Sequence, residues 1–296
     1  MDEQHRALPR LEVLAAALLF STGGAAVKST QFTSWQVAGF RSGVAAIVLL
    51  LLLPETRRGW NRWTFIAGCA YAATLILFVS ATKLTTAANA IFLQAAAPLY
   101  VLLLGPWLLK EHLRRSDIPF MAIIAIGLSL FFAGDTERSA SAPNPALGNA
   151  IGVAAGATWA LTLLALRSMA RHGSSTAGIT TAAAGNLIAF VVCLPSALPV
   201  SHVGALDVAS VAYLGVFQVA LAYFFLNRGL RHVPALESSA LLLAEPALNP
   251  VWAWLLMGER QGALAIMGGA LILGASTANL WWRSRPVPAT LTAARK

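Results

Sequence analysis

The sequence predicts an all-α integral membrane protein: ten transmembrane helices in two inverted five-helix repeats around a central cavity. Three observations carry that prediction. The chain of 296 residues is 57% hydrophobic and 11% charged, with a mean hydropathy of +0.68, where soluble domains carry about 25% charged residues. Ten apolar runs are each long enough for a helical span of about 20 residues. One pattern also occurs twice, 148 residues apart: Ala87 to Glu111 and Ala235 to Glu259 each run apolar, hold a mid-run proline (Pro98, Pro246) and end on a glutamate.

The runs fall at about 11–30, 35–53, 63–82, 86–109, 118–134, 147–169, 177–196, 206–227, 235–257 and 261–282. Arg6 and Arg10 before the first run resemble the start of a signal peptide. Its counterpart at 147–169 and the nine spans that follow mark it as a helix. Between the halves, Gly134 to Gly148 is rich in Pro, Ser and Ala and reads as a connection. The expected division is 1–138 for the first repeat, 139–146 for an external linker, and 147–296 for the second repeat with a tail.

Charge placement sets the orientation. Sixteen of the 21 lysines and arginines lie in connections on the side of the N-terminus; Lys28, Lys83, Arg138 and Arg260 lie on the other, and Arg41 lies inside span 2. By the positive-inside rule both termini are expected in the cytoplasm. The net charge of +9 therefore sits at membrane surfaces, and the expected partners are the lipid bilayer and a small solute, with no nucleic acid. Five spans per half is an odd number, so equal halves must be inverted, and inverted repeats place a substrate site near the midplane.

Several intramembrane residues could serve such a site. Glu245 lies about ten residues into its span, where an ionisable group costs about 2.5–3.5 kcal/mol on insertion scales. It reads either as a coupling or substrate group, or as a protonated donor to a carbonyl freed by proline. Ser238, Glu245, Asn249 and Trp252 share one helical face by spacing. Arg41 keeps its charge and either serves the cavity or snorkels to the surface; Gly39 and Gly43 beside it allow close helix approach. Trp159 follows the glycine stripe Gly148, Gly152 and Gly156, and is too deep for an aromatic belt. It reads as a cavity wall facing Gln94, whose carbonyl Pro98 leaves unpaired. Tyr71, Phe78, Tyr223, Asn227, Ser21 and Thr22 complete the candidate lining. Glu111 and Glu259 read as helix-end structural groups beside the N-terminus of the next span, as do Pro98 and Pro246 at the mid-span breaks. Ser116, Asp117 and Pro119 read as a cap and first turn for span 5. Cys69 and Cys193 lie in apolar runs and read as packing residues. There is no H-E-x-x-H, P-loop or G-x-S-x-G motif, so no enzyme, metal or cofactor is expected.

The two Pro…Glu stretches, Glu245-Pro246, Phe40-Arg41 and Trp159 together resemble drug/metabolite transporters of the EamA type. They resemble in particular the YddG-type (aromatic) amino-acid exporters. That resemblance implies spans 1–4 and 6–9 around the cavity, spans 5 and 10 peripheral, and a monomeric bacterial inner-membrane exporter of amino acids and similar small metabolites by alternating access. The residues themselves leave open another solute class (sugar, nucleoside or organic cation drug) and a non-transporting scaffold or receptor.

Overall fold

In the computed structural model, residues 3–110, 115, 117–133, 138–172 and 176–284 are described. Glu111 and Ser116, assigned above to helix ends, lie outside them. Among the described residues the chain is helical and holds no strand.

The ten predicted runs appear as ten spans. They are α1 (Glu3–Ser21 and Gly23–Lys28), α2 (Ser34–Leu52), α3 (Arg62–Leu84), α4 (Ala87–Ala95 and Ala97–Leu109), α5 (Asp117–Ala133), α6 (Pro145–Arg171), α7 (Ala177–Ala197), α8 (Ala205–Leu230), α9 (Ala235–Leu242 and Ala244–Met257) and α10 (Ala263–Ser284). Nine are long and apolar enough to cross a membrane, and α5 is shorter but apolar. The caps follow from sequence. Thr33 caps α2 in a capping box with Gln36, and Asn61 caps α3 through the amides of Trp63 and Thr64. Gly258 ends α9 in the left-handed conformation, at φ 65°.

Three spans are broken and one is distorted. The α4 break at Ala96 and the α9 break at Leu243 lie just before Pro98 and Pro246. Each proline lacks the N–H that the preceding turn needs, and its ring crowds the carbonyl four residues back. The α1 break falls at Thr22, whose hydroxyl bonds the Leu19 carbonyl at 2.7 Å and the Tyr213 hydroxyl at 2.9 Å. Within α8, residues Leu214–Leu221 form a π-helical stretch.

Packing joins the halves rather than separating them. The principal contacts are α3 with α6 and α7, α2 with α7 and α8, α1 with α8 and α9, α4 with α6 and α9, and α5 with α10. Adding five to each span number, cyclically, maps this set onto itself: α3–α6 becomes α8–α1, and α4–α6 becomes α9–α1. This is the contact pattern of two like halves related by a two-fold axis. Small residues permit the closest crossings: a Cβ on Gly268 would lie 2.6 Å from the Gly127 carbonyl oxygen, so α5 and α10 touch through their backbones.

An even number of spans puts the start of α1 and the end of α10 at one face, here termed the terminus end. The connection near Ser141 lies at the opposite face, the linker end. At the terminus end Arg228 pairs with Glu12 and Arg231 with Glu55, each at 3.1 Å, and Arg10 pairs with Glu237. Glu55 stands outside the spans, where a backbone hydrogen bond to its own residue and then the Arg231 guanidinium hold its carboxyl below the usual range.

Candidate transport cavity

The proline breaks in α4 and α9 face each other across a cavity of about 800 Å³. Its inner wall holds Gln94 and Pro98 of α4, Trp159 of α6, and Glu245 and Pro246 of α9. The wall continues to the terminus end through Val101 and Pro106, Leu163 and Arg167, and Ser239 and Leu242. Trp159, Leu163 and Arg167 follow at intervals of four, so one face of α6 lines the passage.

The glycine stripe explains how α6 comes so near α4. A Cβ on Gly152 would lie 3.0 Å from a Leu93 methyl, one on Gly156 would lie 2.8 Å from the Leu93 carbonyl oxygen, and one on Gly148 would meet Thr85 at 2.6 Å. The stripe therefore faces α4 and the turn before it. That contact sets Trp159 opposite the Gln94 turn.

Behind Trp159 runs an aromatic column: Trp159 to Tyr71 at 6.0 Å, Tyr71 to Tyr223 at 6.0 Å, and Tyr223 to Phe20 at 5.3 Å between ring centroids. Its edge-on and tilted geometries are those that aromatic quadrupoles favour. Glu245 lies within electrostatic range of the Tyr71 and Tyr223 hydroxyls. It is the second residue of the helix that follows the α9 break, where unpaired N–H groups and the helix dipole favour an anion.

Of the predicted lining, Trp159, Gln94, Glu245, Pro98 and Pro246 meet at this cavity. The others lie off its wall. Tyr71 and Phe78 are buried in the core, and Tyr223 packs behind Tyr71. Asn227 lies near the terminus end of α8. Ser21 accepts from the Trp252 indole at 2.9 Å, Thr22 bonds at the α1 break, and Asn249 packs on Gly24 of α1. The face expected for Ser238, Glu245, Asn249 and Trp252 is interrupted: the α9 break at Leu243 lies between Ser238 and the other three.

The lining also corrects the expectation that α5 and α10 stay peripheral. Asp117 and Phe120 of α5 and Ser276, Asn279 and Leu280 of α10 complete the wall between the broken spans. Sequence reasoning placed Asp117 in a helix cap and Arg167 among the surface charges. The spacing of Ser276 and Asn279, three residues apart on one helical face, was the available signal for α10.

Arg41 does not snorkel. It is 2% exposed, between α2, α3 and α8. Its guanidinium donates to the Gln218 side-chain oxygen at 3.5 Å and the Leu75 carbonyl at 3.3 Å, while Nε has no partner. A buried cation held only by two long bonds to neutral groups carries a large desolvation cost. Arg41→Met is therefore expected to melt in detergent no lower than the parent. A fall of more than about 5 °C, roughly 1 kcal/mol or more on the scale of small domains, would show that the charge stabilises the bundle.

Glu259 serves a helix end, but in the other half of the chain. Its Oε2 accepts from the Ala87 amide at the start of α4, at 2.9 Å, and its Oε1 pairs with Lys28 at 3.1 Å.

Comparison with known proteins agrees with this architecture. Threonine/homoserine exporter RhtA of Escherichia coli K12 is 24% identical over 282 residues, 89% of this chain and 88% of that protein. Uncharacterised transporter YetK of Bacillus subtilis is 24% identical over 254 residues, 80% of this chain and 75% of that protein. An uncharacterised transporter of Helicobacter pylori is 30% identical over 136 residues, 43% of this chain; the match spans less than half of that relative, 45%. One crystal structure superposes with a TM-score of 0.60 at 20% identity, covering 93% of this chain and 97% of that one, which shows the shared fold. Residues 11–133 and 146–281 each match the pattern of the EamA-like transporter family, once per half. With its ten helices and paired proline breaks, the chain is a multi-pass membrane protein that belongs to the EamA-like transporter family.

Proposed function

We propose that this protein exports amino acids and similar small metabolites across the bacterial inner membrane by alternating access, as a monomer with both termini in the cytoplasm. Its two inverted repeats are 1–138 and 147–296, joined by an external linker at 139–146. The observation that carries the reading is the cavity of about 800 Å³ between two proline-broken spans, with Glu245, Gln94 and Trp159 at its inner end. That volume lies in the range of small-molecule sites. The Glu245 carboxylate suits an ammonium group, the Gln94 amide suits a polar head, and the Trp159 ring suits an apolar side chain. Arg167 adds a cation on the same wall. A relative aligned over most of its length carries the name threonine/homoserine exporter, which supports the amino-acid class. On this reading, substrate enters from the cytoplasm through the terminus end, towards which the cavity wall runs.

The test is efflux from proteoliposomes loaded with labelled amino acids, a sugar, a nucleoside or an organic cation. Amino-acid efflux is the expected result. Movement of one of the others alone reassigns the solute class, and movement of none supports a scaffold or receptor.

Orientation is checked separately. With Cys69 and Cys193 replaced, Ala140→Cys at the exposed linker should react with an impermeant thiol reagent in intact cells, and the exposed His172→Cys should not. The reverse pattern would invert the topology.

A further inference from the structure

The linker end is closed and its side chains are buried, yet several of its polar groups have no hydrogen-bond partner. The cyclic exchange of spans carries the walls of the open cavity to the other face of the membrane. The second halves of α4 and α6 and the first half of α9 become the second halves of α9 and α1 and the first half of α4. Those three segments meet in the structure. A Cβ on Gly24 of α1 would lie 2.6 Å from Asn249 Oδ1 of α9 and 2.8 Å from the Ala87 Cβ of α4. Asn249 is 0% exposed, and neither atom of its amide has a partner. Nearby, Asn89 Oδ1 and Gln261 Nε2 are also buried without partners. Unmade hydrogen bonds of this kind cost folding free energy, and opening to water or a polar solute relieves them.

A buried ion pair lies at this end. The Lys28 and Glu259 side chains are 6% and 0% exposed and pair at 3.1 Å. Lys28 also donates to the carbonyls of Thr85 (2.7 Å) and Ser141, and Glu259 accepts from the Ala87 amide. The pair thus ties α1, α9, the start of α4 and the linker at one point. Removing one partner leaves a bare charge in a dry site, so the joint is stable either intact and dry or opened to water.

We propose that this end is the sealed outward vestibule of the transport path, latched by Lys28 and Glu259, with the Asn249 amide as its solute-binding group. Asn249 lies four residues beyond Glu245, about 6 Å along the helix. An amino acid leaving Glu245 therefore reaches, one turn on, an amide that offers a donor to its carboxylate and an acceptor to its ammonium group. The inference rests on the transport reading above, but its test needs no solute.

Two reporter cysteines are placed singly in protein lacking Cys69 and Cys193: Asn249→Cys in the sealed end and Leu243→Cys in the open cavity. An impermeant thiol reagent is applied from each side, using intact cells and inside-out vesicles. Lys28→Met is expected to speed labelling at position 249 from the linker side at least tenfold and to slow labelling at 243 from the terminus side at least threefold. Glu259→Gln keeps the volume and the acceptor for the Ala87 amide, so it reports the same shift should Lys28→Met insert poorly. Lys28→Arg should keep the parent rates. Rates within twofold of the parent in both latch variants, or labelling of position 249 from the terminus side, would overturn the proposal. Transport is read in protein that keeps Asn249: transport with unchanged labelling sinks the latch alone, and shifted labelling without transport of any tested solute keeps the latch and sinks the exporter reading.

Discussion

Glutamine in place of Glu245 is expected to raise the amino-acid concentration for half-maximal export by about ten- to hundredfold. The carboxylate lines the cavity and, among the described residues, makes no hydrogen bond or ion pair of its own. What tolerates it there is the start of the helix Ala244–Met257, whose free N–H groups favour an anion. An ammonium group brought to it forms a charge-assisted hydrogen bond, worth about 1.5–3 kcal/mol, and each 1.4 kcal/mol is about a factor of ten in affinity. Glutamine keeps the volume and an acceptor oxygen, so α9 and its break at Leu243 should persist. The loss should accordingly fall on half-saturation, and a substrate whose amine has been acetylated should show no such change. The measurement is the concentration dependence of efflux in proteoliposomes. Parent-like half-saturation would leave Glu245 as a helix-terminal anion with no part in binding. The same vesicles address coupling: if Glu245 carries a proton during transport, a pH gradient should drive export by the parent and not by the variant. Full gradient dependence in Glu245→Gln would exclude that role.

The spans could be read from sequence because a run of about 20 apolar residues has few other uses. Predicted and observed boundaries differ by only a few residues at either end of each span, except that the first helix starts at Glu3, eight residues before the predicted run. The mid-span prolines likewise announced two breaks, since their missing N–H acts locally. What could not be read depends on contacts across the chain. The face drawn through Ser238, Glu245, Asn249 and Trp252 assumed one continuous helix, and the break at Leu243 resets the phase. Pro246 announces that break but not the angle it leaves. Glu259 was assigned to the start of its own following span, whereas its carboxylate closes α4, 172 residues away in sequence. No local pattern encodes such a partner. Arg41 six residues inside its span suggested snorkelling, yet neutral acceptors on α3 and α8 hold it in the core. The apolar sequence of α5 fits a lipid-facing helix along most of its length, and only Asp117 and Phe120 reach the cavity. Broken α1 and the π-helical stretch of α8 carry weak signals, Thr22 before a glycine pair and no proline at all.

Alanine at Gly156 is expected to destabilise the protein by about 1–3 kcal/mol, the usual cost of overpacking, and to impair export beyond that loss. The added Cβ would sit 2.8 Å from the Leu93 carbonyl oxygen and 3.4 Å from the Gln94 Cα. Both are backbone atoms, so the neighbour cannot yield by turning a side chain. The first half of α4 must move off α6, and it takes with it the turn that ends at Ala96. Gln94 and Trp159 would then no longer stand across the same inner wall. A matched control separates this effect from helix propensity. Gly274 in α10 has nothing within 4 Å of its would-be Cβ, so Gly274→Ala gains only the propensity difference, about 0.5–1 kcal/mol of stabilisation. The two substitutions are chemically identical and should move the melting temperature in opposite directions. Gln94→Ala and Trp159→Phe, each inserted and folded as the parent is, should share the export defect of Gly156→Ala without its fall in melting temperature. If Gly156→Ala melts and transports like the parent, α6 does not bear on α4 at this point. If Gln94→Ala and Trp159→Phe both transport like the parent, the two side chains only pack, and the solute is held elsewhere on the wall.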